Sequence, residues 1–160
     1  MEKEMVQKYQ IVLLDMDNTF LDSRGKGEIP NEWAYGAFEK SLRYYGITLT
    51  IAEMNNLFIA PLYYEGVEGV IKFCNTFGLD SEEFWARRER DIIEAKIEAI
   101  RSGLIKLCNG SEETIKYLNI IKRFHLAVVS DSQQACVDYT LEYLKLKQYF
   151  AVCGTGEIVN

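Results

Sequence analysis

The sequence predicts an α/β protein, a Rossmann-like parallel-sheet core interrupted by an inserted all-helical domain. Three observations carry that expectation. An apolar run, Ile11–Leu14, leads straight into two acids, Asp15 and Asp17. A later stretch, "LAVVSDS", is again an apolar run ending on a hydroxyl residue, with helix-patterned segments on both sides. In the long interval between them, apolar residues recur at helical spacing.

In chain order, Ile11–Leu14 are four consecutive apolar residues with β-branched members at the front and polar neighbours, the pattern of a short strand buried on both faces of a parallel sheet. From residue 31 to about 103 the spacing is helical. Ala34, Phe38, Leu42 and Tyr45 fall at i, i+4, i+8 and i+11, and Asp80 with Glu83 makes an acidic variant of the capping box before a long helix holding Ile92, Ile93, Ile97 and Ile100. After "LCNGSEE" the alternation resumes: a helix near 111–123, a strand at 125–129 ending in Ser130, a helix near 133–147 and a last short strand around 150–153. The expected division is a discontinuous core of residues 1–22 and 107–160 with a helical domain of residues 23–106.

Composition narrows the class. The 160 residues are 48% hydrophobic with only 2 Pro and 11 Gly, enough to bury a core and unlike a disordered segment. With 24 acidic against 18 basic side chains the net charge is −6, and no Lys/Arg stripe is present to neutralise a phosphate backbone, which argues against a nucleic-acid partner. Cys74, Cys108, Cys136 and Cys153 lie far apart with no C-x-x-C pair, and "MEKEMVQKYQ" is charged rather than basic-then-apolar, so free thiols and a cytoplasmic location are expected. The apolar runs are of strand length, well short of the roughly 20 residues of a bilayer span, so no membrane partner is expected.

Ligands of open α/β sheets bind beyond the carboxyl ends of the strands, where Asp15, Asp17 and Ser130 all fall. An acid after a strand is often a turn or cap residue. Two acids at i, i+2, followed by Thr19 and with no helix to cap, ask for more. Alternate residues of extended chain point the same way, so the pair can converge on one site. Two close carboxylates repel, and a hard divalent cation such as Mg²⁺ relieves that repulsion. One acid kept ionised can attack an electrophile while the other carries a proton to the leaving group.

"DMDNT" after an apolar strand resembles the D-x-D-x-T first motif of the haloacid dehalogenase superfamily, and "LAVVSDS" resembles its second motif, an apolar strand ending in Ser or Thr. The helical insertion between them is similar to that of members carrying a cap directly after the first motif, and the match spans residues 10 to about 157. The resemblance implies a dehalogenase-like core, here incomplete, and a Mg²⁺-dependent phosphatase acting on a small phosphorylated metabolite. Carried over residue by residue, Asp15 attacks phosphorus to form an aspartyl-phosphate, and Asp17 protonates the leaving oxygen and then activates water. Ser130, with Asp131 beside it, stands on the substrate side, and Thr19 supports the turn there. Asp15 and the backbone carbonyl of Asp17 are the implied Mg²⁺ ligands. Dehalogenases of the family lack the second Asp, so the resemblance implies phosphoryl transfer rather than carbon–halogen cleavage.

The resemblance also implies a Lys soon after the third strand and an acidic pair beyond it, and "GTGEIVN" falls about where that Lys would begin. Lys145 and Lys147 precede the strand and read as the basic last turn of a helix; Glu157 is isolated. The chain is therefore expected to belong to a longer enzyme and to be inactive alone, the alternative being an inactive domain that binds a phosphorylated ligand or a protein. Three strands where the family has at least five leave an open sheet edge, through which a homodimer is expected. Twelve of the 20 aromatic residues lie between Trp33 and Trp85 and read as helix-helix core. Tyr63 and Tyr64 in "PLYYEGVEG" are expected to differ, facing substrate from a loop. Arg87, Arg88 and Arg90 read as a solvated helix face, and His125 as structural.

Overall fold

A computed structural model describes residues 10–25 and 28–155, with Val152 and Thr155 described by their backbone alone. Glu157 and the segment before Gln10 lie outside the described residues. The strands are β1 (Ile11–Leu14), β2 (Leu21–Asp22), β3 (Lys106–Leu107), β4 (His125–Ser130) and β5 (Phe150–Thr155). The helices are α1 (Glu32–Tyr44), α2 (Ile51–Met54), α3 (Ala60–Glu65), α4 (Val67–Phe77), α5 (Ser81–Arg101), α6 (Ser111–Lys116) and α7 (Gln134–Tyr143). The chain divides into two compact units, one formed by the residues up to Arg24 with those from Ile100 onward, the other by Gly25–Ala99.

The first unit is built on a parallel sheet in the order β1-β4-β5. Leu126 and Val128 of β4 are fully buried, as a central strand requires. Leu14 of β1 pairs with Val128, and Ser130 pairs with Thr155, so the carboxyl ends of all three strands come out at one edge. β1 departs from the expectation of burial on both faces. Its alternate residues Ile11 and Leu13 are 63% and 66% exposed, while Val12 and Leu14 are half-buried. An all-apolar strand, here the outermost of the sheet among the described residues, can thus still be one-sided. β2 and β3 form a two-residue antiparallel ladder, too short to carry a readable period. α6 runs on into a π turn at Tyr117–Ile121, and α7 stops at Tyr143 rather than near 147, because Lys145 takes a left-handed conformation (φ 58°) before a 3-10 turn at Lys147–Tyr149. Lys147 pairs with Glu142 at 2.6 Å and Asp138 at 3.3 Å on the surface.

The second unit contains only helices and turns among its described residues. Four rings from four segments meet at its centre: Phe38 of α1, Phe58 of a π turn at Asn55–Ile59, Phe73 of α4 and Phe84 of α5, with centroids from 4.5 Å (Phe38–Phe58) to 6.2 Å (Phe38–Phe84) apart. Tilted and edge-on contacts of this kind add stabilisation beyond burial of area. Thr50 and Glu53 close a reciprocal capping box on α2, and Asp80 accepts the Glu83 N–H at 2.9 Å at the start of α5. The arginines correct the expectation of a solvated face. Arg87 lies 3.4 Å over the Tyr44 ring, and Arg88 stands over Phe58 (5.2 Å) and Trp85 (5.0 Å), where burial lowers its pKa. Planar guanidinium groups stack on aromatic faces at a smaller desolvation cost than an ammonium, which is why a charge run can pack inward. Arg90 alone of the three is exposed.

Two glycines shape the α3–α4 junction. Gly66 adopts φ 62°, ψ −132°, a region essentially closed to other residues. At Gly69 a Cβ would sit 2.4 Å from the Pro61 carbonyl oxygen, so α3 and α4 touch backbone to backbone there. Gly69→Ala must push two helices apart and is expected to cost about 1–3 kcal/mol, read as a lower urea midpoint.

A polar group is also buried in this unit. Asp91 accepts from Ser41 Oγ at 2.8 Å and pairs with Lys40 Nζ at 2.8 Å. Burial works to raise its pKa, but the Lys40 and Ser41 hydrogen bonds outweigh it and hold the carboxyl below its ordinary 3.8. A depressed folded-state pKa gives stability that is complete above the unfolded value and lost as pH falls through the folded one. Asp91→Asn is therefore expected to cost about 1–3 kcal/mol at pH 7 and progressively less below about pH 3.8, as urea titrations at several pH values would show.

Candidate active site

The loop after β1 is wound around one residue. Met16 is fully buried, and its carbonyl accepts from the N–H groups of Thr19 (3.3 Å), Phe20 (3.2 Å) and Leu21 (3.0 Å). Asn18 turns the chain at φ 59°, a left-handed conformation that Asn tolerates better than most residues, and its N–H donates to the Leu21 carbonyl at 2.6 Å. Phe20 is buried and stacks on Phe150 at 5.8 Å, which fixes the far side of the loop to β5. With Met16 turned inward, its neighbours are left on the surface side, Asp15 exposed and Asp17 half-buried.

The two acids have different surroundings. Thr19 Oγ1 donates to Asp15 Oδ2 at 3.0 Å. Asp17 takes a hydroxyl on each oxygen: the buried Ser23, just after β2, donates to Oδ1, and Ser132 donates to Oδ2 at 2.7 Å. Ser130, 5% exposed at the end of β4, accepts the Ser132 N–H on its Oγ at 3.1 Å, forming a tight serine turn with Asp131 exposed at its tip. The structure thus joins Asp17 to the Ser130 turn and Asp15 to Thr19.

Tyr63 and Tyr64 correct the loop expectation. They lie on α3, in the other compact unit, 82% and 81% exposed and packed edge-to-face on each other at 5.1 Å. Pro61 sits in the first turn of that helix and Gly66 ends it, so the punctuation that reads as a loop instead brackets a short helix. Ser23 and Ser132 were missed by sequence reasoning. The signal available for Ser132 was the spacing of two hydroxyl residues in "SDS" at a strand end; Ser23 carries none.

The fit to Mg²⁺ is partial. Among the described residues no group of three or more His, Cys, Asp or Glu side chains is placed to hold a metal ion. Mg²⁺ demands near-octahedral oxygen coordination. Asp15 and the carbonyl of Asp17 would be two donors, and the Asp17 side-chain oxygens are engaged by serines. The described residues therefore do not make a complete site. Among them, too, no helix is long and apolar enough to cross a membrane.

No protein-family model matches the chain, and no curated protein does. Solved structures match it along most of its length. CbbY from Rhodobacter sphaeroides, crystallised with phosphate, superposes with a TM-score of 0.66 at 17% identity over 94% of this chain and 64% of its own. A haloacid dehalogenase-superfamily hydrolase of subfamily IA from Geobacter sulfurreducens gives 0.58 at 19% identity, covering 95% and 65%. YfnB from Bacillus subtilis, crystallised with magnesium, gives 0.58 at 18% identity, covering 93% and 66%. The fold is that of the haloacid dehalogenase-type hydrolases, a Rossmann-like α/β core with helical residues inserted after the first strand. The chain spans less than two thirds of each of these structures.

Proposed function

We propose that the protein acting through these residues is a Mg²⁺-dependent phosphatase of the haloacid dehalogenase superfamily, cleaving a small phosphorylated metabolite through an aspartyl-phosphate. The observation that carries the reading is the unequal setting of two acids in one loop: Asp15 is exposed and held by one hydroxyl, whereas Asp17 is half-buried and held by two. Two carboxylates with different environments divide into different roles. Asp15 attacks phosphorus as the bond to the leaving oxygen breaks, and Asp17 gives that oxygen its proton. Asp17, now a carboxylate, takes a proton from water as the water attacks phosphorus, which frees Asp15 and releases phosphate. Ser130, buried at the end of β4, stands on the phosphoryl side. The phosphate-bound CbbY and magnesium-bound YfnB crystals support the substrate class and the metal. Bound Mg²⁺ would offset the repulsion between the acids and the phosphoryl group.

The activity is proposed for the protein as a whole. In the full-length protein Asp15→Asn keeps the shape and removes the attacking charge, so turnover of p-nitrophenyl phosphate should vanish with the fold intact by circular dichroism. Activity within tenfold of wild type would exclude Asp15 as nucleophile. Asp17→Asn should lower kcat by about 10²–10⁴-fold, and chelation by EDTA should abolish turnover until Mg²⁺ is restored. A full-length protein that binds phosphate and never turns over would favour an inactive binding domain instead.

A further inference from the structure

Resting on that reading, we propose that Ser132 is a positioning residue that holds Asp17 for proton transfer and sets it in register with Ser130. Ser23 and Asp17 are six residues apart and belong to one segment, but Ser132 is 115 residues away and arrives from the end of a different strand. Its backbone is pinned independently, because the Ser132 N–H donates to the hydroxyl of the buried Ser130. One three-residue turn therefore carries both the group facing the phosphoryl oxygens and the hydroxyl gripping the proton carrier. An aspartate carboxylate has two side-chain torsions to fix, and two donors from separate elements, one on each oxygen, fix both. Misplacement of a reacting group by about 1 Å can cost on the order of 100-fold in rate, which is the scale on which such a clamp acts.

The effect is visible in the leaving group. p-Nitrophenolate departs without a proton, whereas an alkoxide such as that of glycerol phosphate needs one in the transition state. In the full-length protein, Ser132→Ala should lower kcat/KM for glycerol phosphate by about tenfold or more beyond its effect on p-nitrophenyl phosphate, and Ser132→Thr, which keeps the hydroxyl, should restore most of that loss. Asp17→Asn should show the same selectivity more strongly, and adding Ser132→Ala to it should change the selectivity no further. Equal losses on both esters, no loss on either, a Thr variant as impaired as the Ala variant, or a further selective loss in the double variant would each overturn the proposal. Failure of the underlying reading looks different: Asp17→Asn itself would then lose no more on the alkyl ester than on the aryl one.

Discussion

The parallel pairing of β1 with β4, which sets Leu14 beside Val128, places two strand ends from distant parts of the chain at one sheet edge. The candidate chemistry depends on that alignment. A slip of one residue in a strand reverses which side chains face inward, and here it would expose Met16 and turn the acids toward the core. Burial of Leu126 and Val128 penalises such a slip on the β4 side, and burial of Met16 and Phe20 penalises it on the loop side. Ordinary apolar packing thereby fixes the position of two carboxylates that contribute nothing to it.

The same strand shows what alignment does not require. β1 holds its place through one ladder and one half-buried face, while Ile11 and Leu13 remain open to solvent. Singly exposed apolar residues need no explanation, but two on adjacent same-face positions of an edge strand make a surface of the kind other chain segments cover. The helical unit is organised differently. Its four phenylalanine rings pack on one another, Arg88 stands over one of them, Phe58, and Arg87 lies over the Tyr44 ring.

Much of the fold was legible because it rests on periods. The helical spacing of Ala34, Phe38 and Leu42 yields α1, the apolar run before Ser130 yields β4, and Asp80 with Glu83 marks the start of α5. What escaped rests on features without a period. β2 and β3 have two residues each, the ends of α6 and α7 are set by local backbone, and the one-sidedness of β1 is decided by its neighbours and not by its composition. At the site, Asp15, Asp17 and Ser130 were legible because carboxylates and a hydroxyl at strand ends are chemically conspicuous. Ser23 and Ser132 were not, since a serine becomes informative only when the fold shows what its hydroxyl touches. The loop expected at Tyr63 and Tyr64 failed in the opposite way: Pro and Gly marked the boundaries correctly, but what they bounded was a helix.

That serines grip Asp17 bears on which role it can play. A hydroxyl orients by hydrogen bonding without adding a full charge, and it can rotate to accept as well as donate. Two hydroxyls from separate elements thus hold the Asp17 carboxylate in one position. Asp15, with a single hydroxyl on Oδ2 and greater exposure, has the simpler setting, which suits the nucleophile role proposed for it. The division of labour proposed for the two acids thus rests on the hydroxyls around them as much as on the acids themselves.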